Sequence, residues 1–153
     1  EQCVATLPGY RIACDPRCSF EVETDVLDTC SAFKSAGEGF LLLANGLQPP
    51  FRAWFYPSEP AGDAAVDAVK ANARQRIEAM WDRVNAHLEQ NGPYVCGAQL
   101  TAVDFFLFML CRWSRNMPKP ATEWPYLAMF VASMKARPSF KTLYAREGLT
   151  EWA

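Results

Sequence analysis

The sequence predicts an all-α domain, a bundle of five helices that follows a short irregular N-terminal segment. From residue 25 onwards, apolar residues recur at spacings of three and four, the period of one helix face. Glycines and prolines interrupt that period between the segments. Residues 1–24 carry prolines and two short runs of β-forming residues, which favour a loop or a weak hairpin. We therefore assign residues 1–24 to an irregular segment and residues 25–150 to one helical domain.

The first predicted helix covers residues 25–47 and ends before Pro49 and Pro50, because a proline inside a helix removes a backbone donor and clashes with the preceding turn. Its apolar positions form one stripe, and three glycines within it indicate either close helix packing or room for a ligand. These glycines are Gly37, Gly39 and Gly46. An aromatic run follows at residues 51–57, which is typical of a core or of a pocket lining, and the sequence leaves both open.

The second helix is predicted from Asp63 to about residue 91, with an apolar stripe on one side and charged residues on the other. Asp63 is the expected N-cap, and the sequence Asn91-Gly92-Pro93 ends the helix. His87 lies beside the apolar stripe in the last turn, and we interpret this single histidine as structural.

The third helix, residues 101–115, is apolar on every side, which predicts a central helix that is covered all round. Thr101 and Asp104 form a structural capping-box pattern, in which each side chain accepts from the backbone N–H of the other residue. Because this role explains Asp104 fully, we assign it no part in catalysis. The remaining helices are predicted at about residues 124–136 and 139–147.

Composition excludes several classes of function. The formal net charge of -2 provides no general attraction to nucleic acid or anionic lipid, so we expect no nucleic-acid partner and no membrane partner. The apolar runs at residues 40–44 and 105–111 are far shorter than the roughly 20 residues that span a bilayer. The N-terminus also lacks a basic region followed by an apolar one, so the sequence shows no signal peptide.

The six cysteines are too sparse for a disulfide scaffold, which indicates a reducing compartment and a cytoplasmic protein. One disulfide among the first four remains open, and Cys14 and Cys18 lack the second pair that a zinc site needs, so we expect no metal. No Ser-His-Asp set, phosphate-binding glycine loop or HExxH motif occurs, so the residues alone indicate no catalytic residue. The cysteines are Cys3, Cys14, Cys18, Cys30, Cys96 and Cys111.

A family resemblance rests on residues 92–104, GPYVCGAQLTAVD. This stretch resembles the G-x-Y-L-x-G-x-x-x-[ST]-x-A-D signature of the glutathione S-transferase C-terminal helical domain, with Val103 in the place of the usual alanine. The passages at residues 124–127 and 136–140 are similar to the family's later "P-x-L … ARP" passage. In order and spacing the resemblance covers about residues 28–150, and it implies the family's helical fold.

In that family a thioredoxin-like domain precedes the helices, binds glutathione and supplies the residue that activates the thiol. The short segment before the first helix implies that this domain is absent or degenerate here. Residues 4–7, VATL, are faintly similar to the family's Val-Pro-x-Leu, and residues 23–27 to its Glu-Ser/Thr turn. The resemblance therefore implies glutathione as cofactor, with no complete site for it in this chain.

The resemblance also implies a pocket for the electrophile between the end of the first helix and the buried helix. Gln48 falls near a position where some bacterial members carry a polar residue that faces glutathione. Helix geometry places Phe40 and Gln48 about 80° apart, and we expect them to share one concave apolar site with Phe51 and Trp113; the alternative is that the two last aromatics simply fill the core. The implied substrate-binding residues are Phe40, Asn45, Gln48, Phe51, Phe108 and Trp113.

Three functions remain open at this point. The first is a glutathione S-transferase-like detoxification enzyme, whose helical domain binds a small hydrophobic electrophile and conjugates glutathione only if a thioredoxin-like half is supplied. The others are a non-catalytic protein-interaction module and a hydrophobic-ligand carrier. Because an uncovered first helix exposes apolar surface, we expect a homodimer or another partner to cover it.

Overall fold

The computed structural model describes the backbone of residues 4–7, 10–13 and 24–152, and the side chains of residues 37–152. The chain divides into two compact units, Glu1–Phe33 and Lys34–Ala153. The disulfide left open among the first four cysteines lies outside the described residues.

In the first unit, strand β1 (Val4–Leu7) pairs with strand β2 (Tyr10–Ala13) in an antiparallel hairpin. The register places Val4 opposite Ala13 and Leu7 opposite Tyr10. The sequence favoured a loop or a weak hairpin here, and the described backbone has the hairpin.

Helix α1 spans Thr24–Phe55, so the prediction that it ends before Pro49 and Pro50 is wrong. The two prolines lack the N–H groups that would bond to the carbonyls of Asn45 and Gly46. Leu47 and Phe51, one on each side of the pair, are fully buried in the core. Burial of large apolar side chains on both sides of the prolines outweighs the two missing hydrogen bonds, because each such side chain contributes about 1.5–3 kcal/mol.

The other four helices agree with the sequence to within a few residues, and the all-α prediction for the helical domain is confirmed. One 3₁₀ turn (Asp63–Ala65) precedes the second helix, so Ala65 rather than Asp63 is its N-cap. Gly148 ends the last helix in the left-handed conformation, with φ at 60°. These helices are α2 (Val66–Asn91), α3 (Ala102–Trp113), α4 (Pro125–Lys135) and α5 (Pro138–Glu147).

Helix α3 is buried on one side and not all round, which corrects the prediction of a fully covered helix. Leu107 and Leu110 lie in the core, whereas Phe105 and Met109, one turn apart, are exposed. The sequence could not separate these positions because all of them are apolar.

Two of the three glycines in α1 lie where a neighbouring segment packs closely against the helix. A Cβ on Gly46 would overlap the terminal methyl of Met80, and a Cβ on Gly39 would lie 3.0 Å from Val95 Cγ1. A Cβ on Gly37 would meet nothing within 4 Å. The close approach of neighbouring segments therefore explains Gly39 and Gly46.

Helix α2 holds the start of α4 through three side chains on successive turns. The indole N–H of Trp124 donates to Asp82 Oδ1 at 2.7 Å, and the backbone N–H of Tyr126 donates to Asn85 Oδ1 at 2.9 Å. The Tyr126 hydroxyl donates to Glu89 Oε1 at 3.0 Å, and this bond raises the pKa of the tyrosine. The charged side of α2 is therefore partly a contact surface.

Candidate functional site

The end of α1 and the end of α3 form the walls of a groove. Because α1 continues past its prolines, Gln48, Arg52 and Phe55 lie at spacings of four and three on one face of the helix. Trp113 closes the groove from the last turn of α3.

The groove has a volume of about 590 Å³, within the usual range for small-molecule sites. Four of its lining side chains are aromatic or apolar, and two are polar. The lining residues are Gln48, Pro49, Arg52, Phe55, Tyr56 and Trp113. Aromatic rings of this kind can stack on a flat apolar molecule, and the lining has few polar groups that could orient it.

Phe51 lies beneath this groove as part of the core. It is fully buried and meets Trp113 edge to face, with ring centres 5.7 Å apart. It also contacts Trp81 edge to face at 6.2 Å and stacks on Phe55 at 5.9 Å. Phe51 therefore fixes the two aromatic walls of the groove without lining it.

The structure brings Gln48 and Trp113 together and places Phe40 elsewhere. Phe40 stacks on Phe106, with ring centres 4.3 Å apart. Phe40 is not among the residues that line the groove, whereas Gln48 and Trp113 are. Because Phe51 lies beneath the lining, only two of the four residues expected to share one concave site, Gln48 and Trp113, line this groove.

Two further predicted residues also lie outside the lining. Asn45 is exposed on α1. Phe108 packs edge to face on Phe140, with ring centres 5.3 Å apart, and lies 5.0 Å from the ring of Trp152. The C-terminal segment thus occupies the surface of Phe108 that was predicted to contact a substrate.

Sequence reasoning missed Arg52, which is the cation in the groove lining. Its Nε and Nη2 atoms donate to the two carboxylate oxygens of Glu59 at 2.9 and 3.0 Å. The guanidinium also lies over the ring of Tyr56, 5.7 Å from its centre. The helical spacing from Gln48 would have shown Arg52 and Tyr56 beside it, but the assumed helix end at the prolines hid that spacing.

The capping box at the start of α3 is present and reaches further than the sequence showed. Asp104 is fully buried, and its carboxylate accepts from the backbone N–H of Thr101 at 2.7 Å and from the Thr101 hydroxyl at 3.0 Å. Its other oxygen accepts from the backbone N–H of Val95 at 2.8 Å. His87 Nε2 donates to the carbonyl of the same Val95 at 2.7 Å. These hydrogen bonds hold the loop before α3 in place, and they give Thr101 and Asp104 of the signature a structural role.

The described side chains offer few groups for covalent or metal chemistry. Burial raises the pKa of the Cys111 thiol well above its ordinary value, so this cysteine stays protonated. Among residues 37–152, no three His, Cys, Asp or Glu side chains lie close enough to hold a metal ion. No helix in the described part of the chain is long and apolar enough to cross a bilayer.

Comparison with known proteins defines the family. The sequence profile described as Glutathione S-transferase, C-terminal domain, matches residues 67–146. The chain belongs to the glutathione S-transferase family. The match includes α3, α4 and nearly all of α2 and α5. No curated protein matches the chain significantly.

Solved structures show the same family fold. A ternary complex of BphK, a bacterial glutathione S-transferase, is 26% identical, with a TM-score of 0.65 over 76% of this chain and 55% of that chain. A glutathione transferase homologue from Sulfitobacter with bound glutathione is 22% identical, with a TM-score of 0.69 over 78% and 57%. A glutathione S-transferase from Xylella fastidiosa is also 22% identical, with a TM-score of 0.68 over 78% and 58%. The chain thus spans little more than half the length of these proteins.

Proposed function

We propose that this chain binds a small hydrophobic electrophile in the groove, as the helical half of a glutathione-transferase-type protein. The observation that supports this function is the groove itself, in which the rings of Phe55 and Trp113 meet edge to face, 6.3 Å apart, and both contact the buried ring of Phe51. Aromatic walls bind flat apolar rings by stacking. The amide of Gln48 supplies a donor and an acceptor that orient a polar substituent.

The groove fits the electrophile better than it fits glutathione. Glutathione carries two carboxylates and an ammonium group, whereas the lining offers one cation, Arg52, and one amide, Gln48. The Sulfitobacter homologue contains bound glutathione, and we propose that here the tripeptide and the activation of its thiol require a thioredoxin-like half. The side chains of this groove bind and orient the electrophile.

Tryptophan fluorescence tests this function directly. Titration of the chain with 1-chloro-2,4-dinitrobenzene should quench the fluorescence of Trp113 saturably, because the nitroaromatic ring stacks beside the indole. Trp113→Phe should remove most of the saturable quenching, and Phe55→Ala should weaken the apparent affinity at least about threefold by removing one wall. Trp54→Phe is the matched control, since Trp54 packs beside Lys70 outside the groove lining.

Two results would contradict the proposal. Saturable quenching that survives in Trp113→Phe with the wild-type amplitude would place the ligand elsewhere. Conjugation of glutathione by this chain alone would show that no further half is required. Saturable binding without turnover, even after a thioredoxin-like half is added, would favour the ligand carrier, which uses the same groove without chemistry.

A second candidate function, a protein-interaction module, is favoured by an apolar surface on α1 and α3. Its side chains are large and exposed although they lie in helices of the bundle. They are Phe40, Leu41, Leu42, Phe105 and Met109. Large exposed apolar side chains can mark interfaces, and we propose that a second copy or another partner covers them.

Light scattering over a range of concentrations tests this second function. We expect self-association that Leu41→Glu suppresses, because a charge cannot be buried without a partner. Met129→Glu on α4 is the matched control, since Met129 is 67% exposed and Leu41 61% exposed. A monomer at all concentrations, or equal loss of association in both variants, would contradict a homodimer through this surface.

A further inference from the structure

Arg52 is a charged residue in a groove that is otherwise aromatic, apolar or amide in character. We infer that Arg52 makes the groove select aromatic ligands that carry an anionic group, and that Glu59 limits the strength of this selection. The inference rests on the proposed function, because it assumes that the groove binds a small aromatic molecule.

Glu59 holds the guanidinium of Arg52 in place without occupying all of its hydrogen-bond donors. Glu59 accepts from Nε and from Nη2, which occupies two of the five N–H donors of a guanidinium. Three donors therefore remain for a second anion. Glu59 itself is placed by the turn after α1, where its backbone N–H donates to the carbonyl of Tyr56 at 3.2 Å.

The position of the Arg52–Glu59 pair determines whether the groove favours anionic or cationic ligands. Arg52 lines the groove, whereas Glu59 is outside the lining, so an anion bound in the groove against the aromatic rings lies nearer to the guanidinium than to the carboxylate. The described lining residues include no aspartate or glutamate that would oppose an anion. The carboxylate of Glu59 partly cancels the field of Arg52, so removal of its charge should strengthen anion binding.

The expected effect on ligand affinity is modest because the Arg52–Glu59 pair is in contact with water. The Arg52 and Glu59 side chains are 69% and 47% exposed, and exposed ion pairs contribute about 0.2–1 kcal/mol. This corresponds to a change of about 1.4- to fivefold in a dissociation constant. An effect of this size is measurable as a ratio between two ligands that differ only in charge.

Two fluorescent probes form such a pair. 8-Anilinonaphthalene-1-sulfonate and N-phenyl-1-naphthylamine share the same aromatic skeleton, and only the first carries a sulfonate. We expect the wild-type chain to bind the anionic probe more tightly relative to the neutral one than Arg52→Gln does, by about 1.4- to fivefold. Glu59→Gln should shift the ratio in the opposite direction, towards the anionic probe. Both probes should lose affinity in Phe55→Ala.

A second ion pair supplies the matched controls. Arg74 and Glu78 form an exposed pair one turn apart on α2, outside the groove lining. Arg74→Gln and Glu78→Gln change the net charge of the chain by the same amounts as the two groove variants. They should leave the ratio of the two dissociation constants unchanged, which separates a local effect from a general effect of charge.

The outcomes distinguish the inference from the function on which it rests. If both probes bind and Phe55→Ala weakens both, but Arg52→Gln leaves their ratio unchanged, the selection by charge is overturned and the groove remains a binding site. If the Arg74 variant shifts the ratio as much as the Arg52 variant does, the inference is likewise overturned. If neither probe binds, or Phe55→Ala affects neither, the groove function and the inference both fail.

Discussion

Phe51→Ala should lower the free energy of unfolding by about 3–5 kcal/mol, the usual cost of removing a buried phenylalanine ring. Phe51 is fully buried and touches three other aromatic rings, those of Phe55, Trp81 and Trp113. The cavity left by alanine cannot close easily, because these rings are anchored on three different helices. Urea unfolding monitored by circular dichroism measures the loss.

Two further variants test whether the Phe51 ring supports the groove from the core rather than lining it. Phe51→Leu fills most of the space and should cost much less than alanine. Phe55→Ala removes a half-exposed wall and should cost about 1.5 kcal/mol or less, while it weakens ligand binding. Equal losses of the free energy of unfolding in Phe51→Ala and Phe55→Ala would contradict the assignment of Phe51 to the core and of Phe55 to the groove lining.

Asp104→Ala should lower the free energy of unfolding by about 3–4 kcal/mol. Loss of a helix cap costs about 1–2 kcal/mol, and a hydrogen bond to a charged group contributes about 1.5–3 kcal/mol. Asp104 combines both, since its buried carboxylate accepts from Thr101 at the start of α3 and from Val95 in the preceding loop. Urea unfolding of the variant beside the wild type measures the difference.

Asp67→Ala is the control for a carboxylate in the first turn of a helix. Asp67 is exposed at the start of α2, so its loss should change stability by about 0.5 kcal/mol or less. Asp104→Asn keeps the shape and one acceptor oxygen and should give an intermediate value. An Asp104→Ala variant as stable as Asp67→Ala would show that the loop before α3 is held by other contacts.

The sequence predicted four helices well because their signals are local. The capping pattern at Thr101 and Asp104, the glycine at position 148 and the apolar stripe of α2 each act through neighbours within one or two turns. Local rules failed at Pro49 and Pro50, where burial of the neighbouring side chains overrides the helix-breaking tendency of proline.

The same failure limited the prediction of the site. With a helix end at the prolines, Arg52 and Tyr56 had no defined direction. The stacking of Phe40 on Phe106 of α3 depends on how the two helices pack, which no local pattern specifies. Only the structure shows that Phe51 points into the core while Arg52, the next residue, lines the groove. The pairing of Arg52 with Glu59 spans a turn whose shape no local pattern specified.

Contacts between residues far apart in the sequence could not be predicted either. Asp82 and Glu89 have the pattern of a solvated helix face, yet they accept hydrogen bonds from Trp124 and Tyr126. A charged residue on an exposed helix side and one that holds another helix look the same in a single sequence. Their partners become visible only when the chain has folded.

The hydrogen bonds that join α2 to the start of α4 also constrain how the domain assembles. Their partners are 42, 41 and 37 residues apart along the chain, and all of α3 lies in that interval. Helix α4 has only 11 residues, too few to be stable by itself in water, so it gains its helical order as it docks on α2. We therefore expect the backbone amides of α2, α3 and α4 to open to solvent together rather than helix by helix, which native-state hydrogen exchange measures.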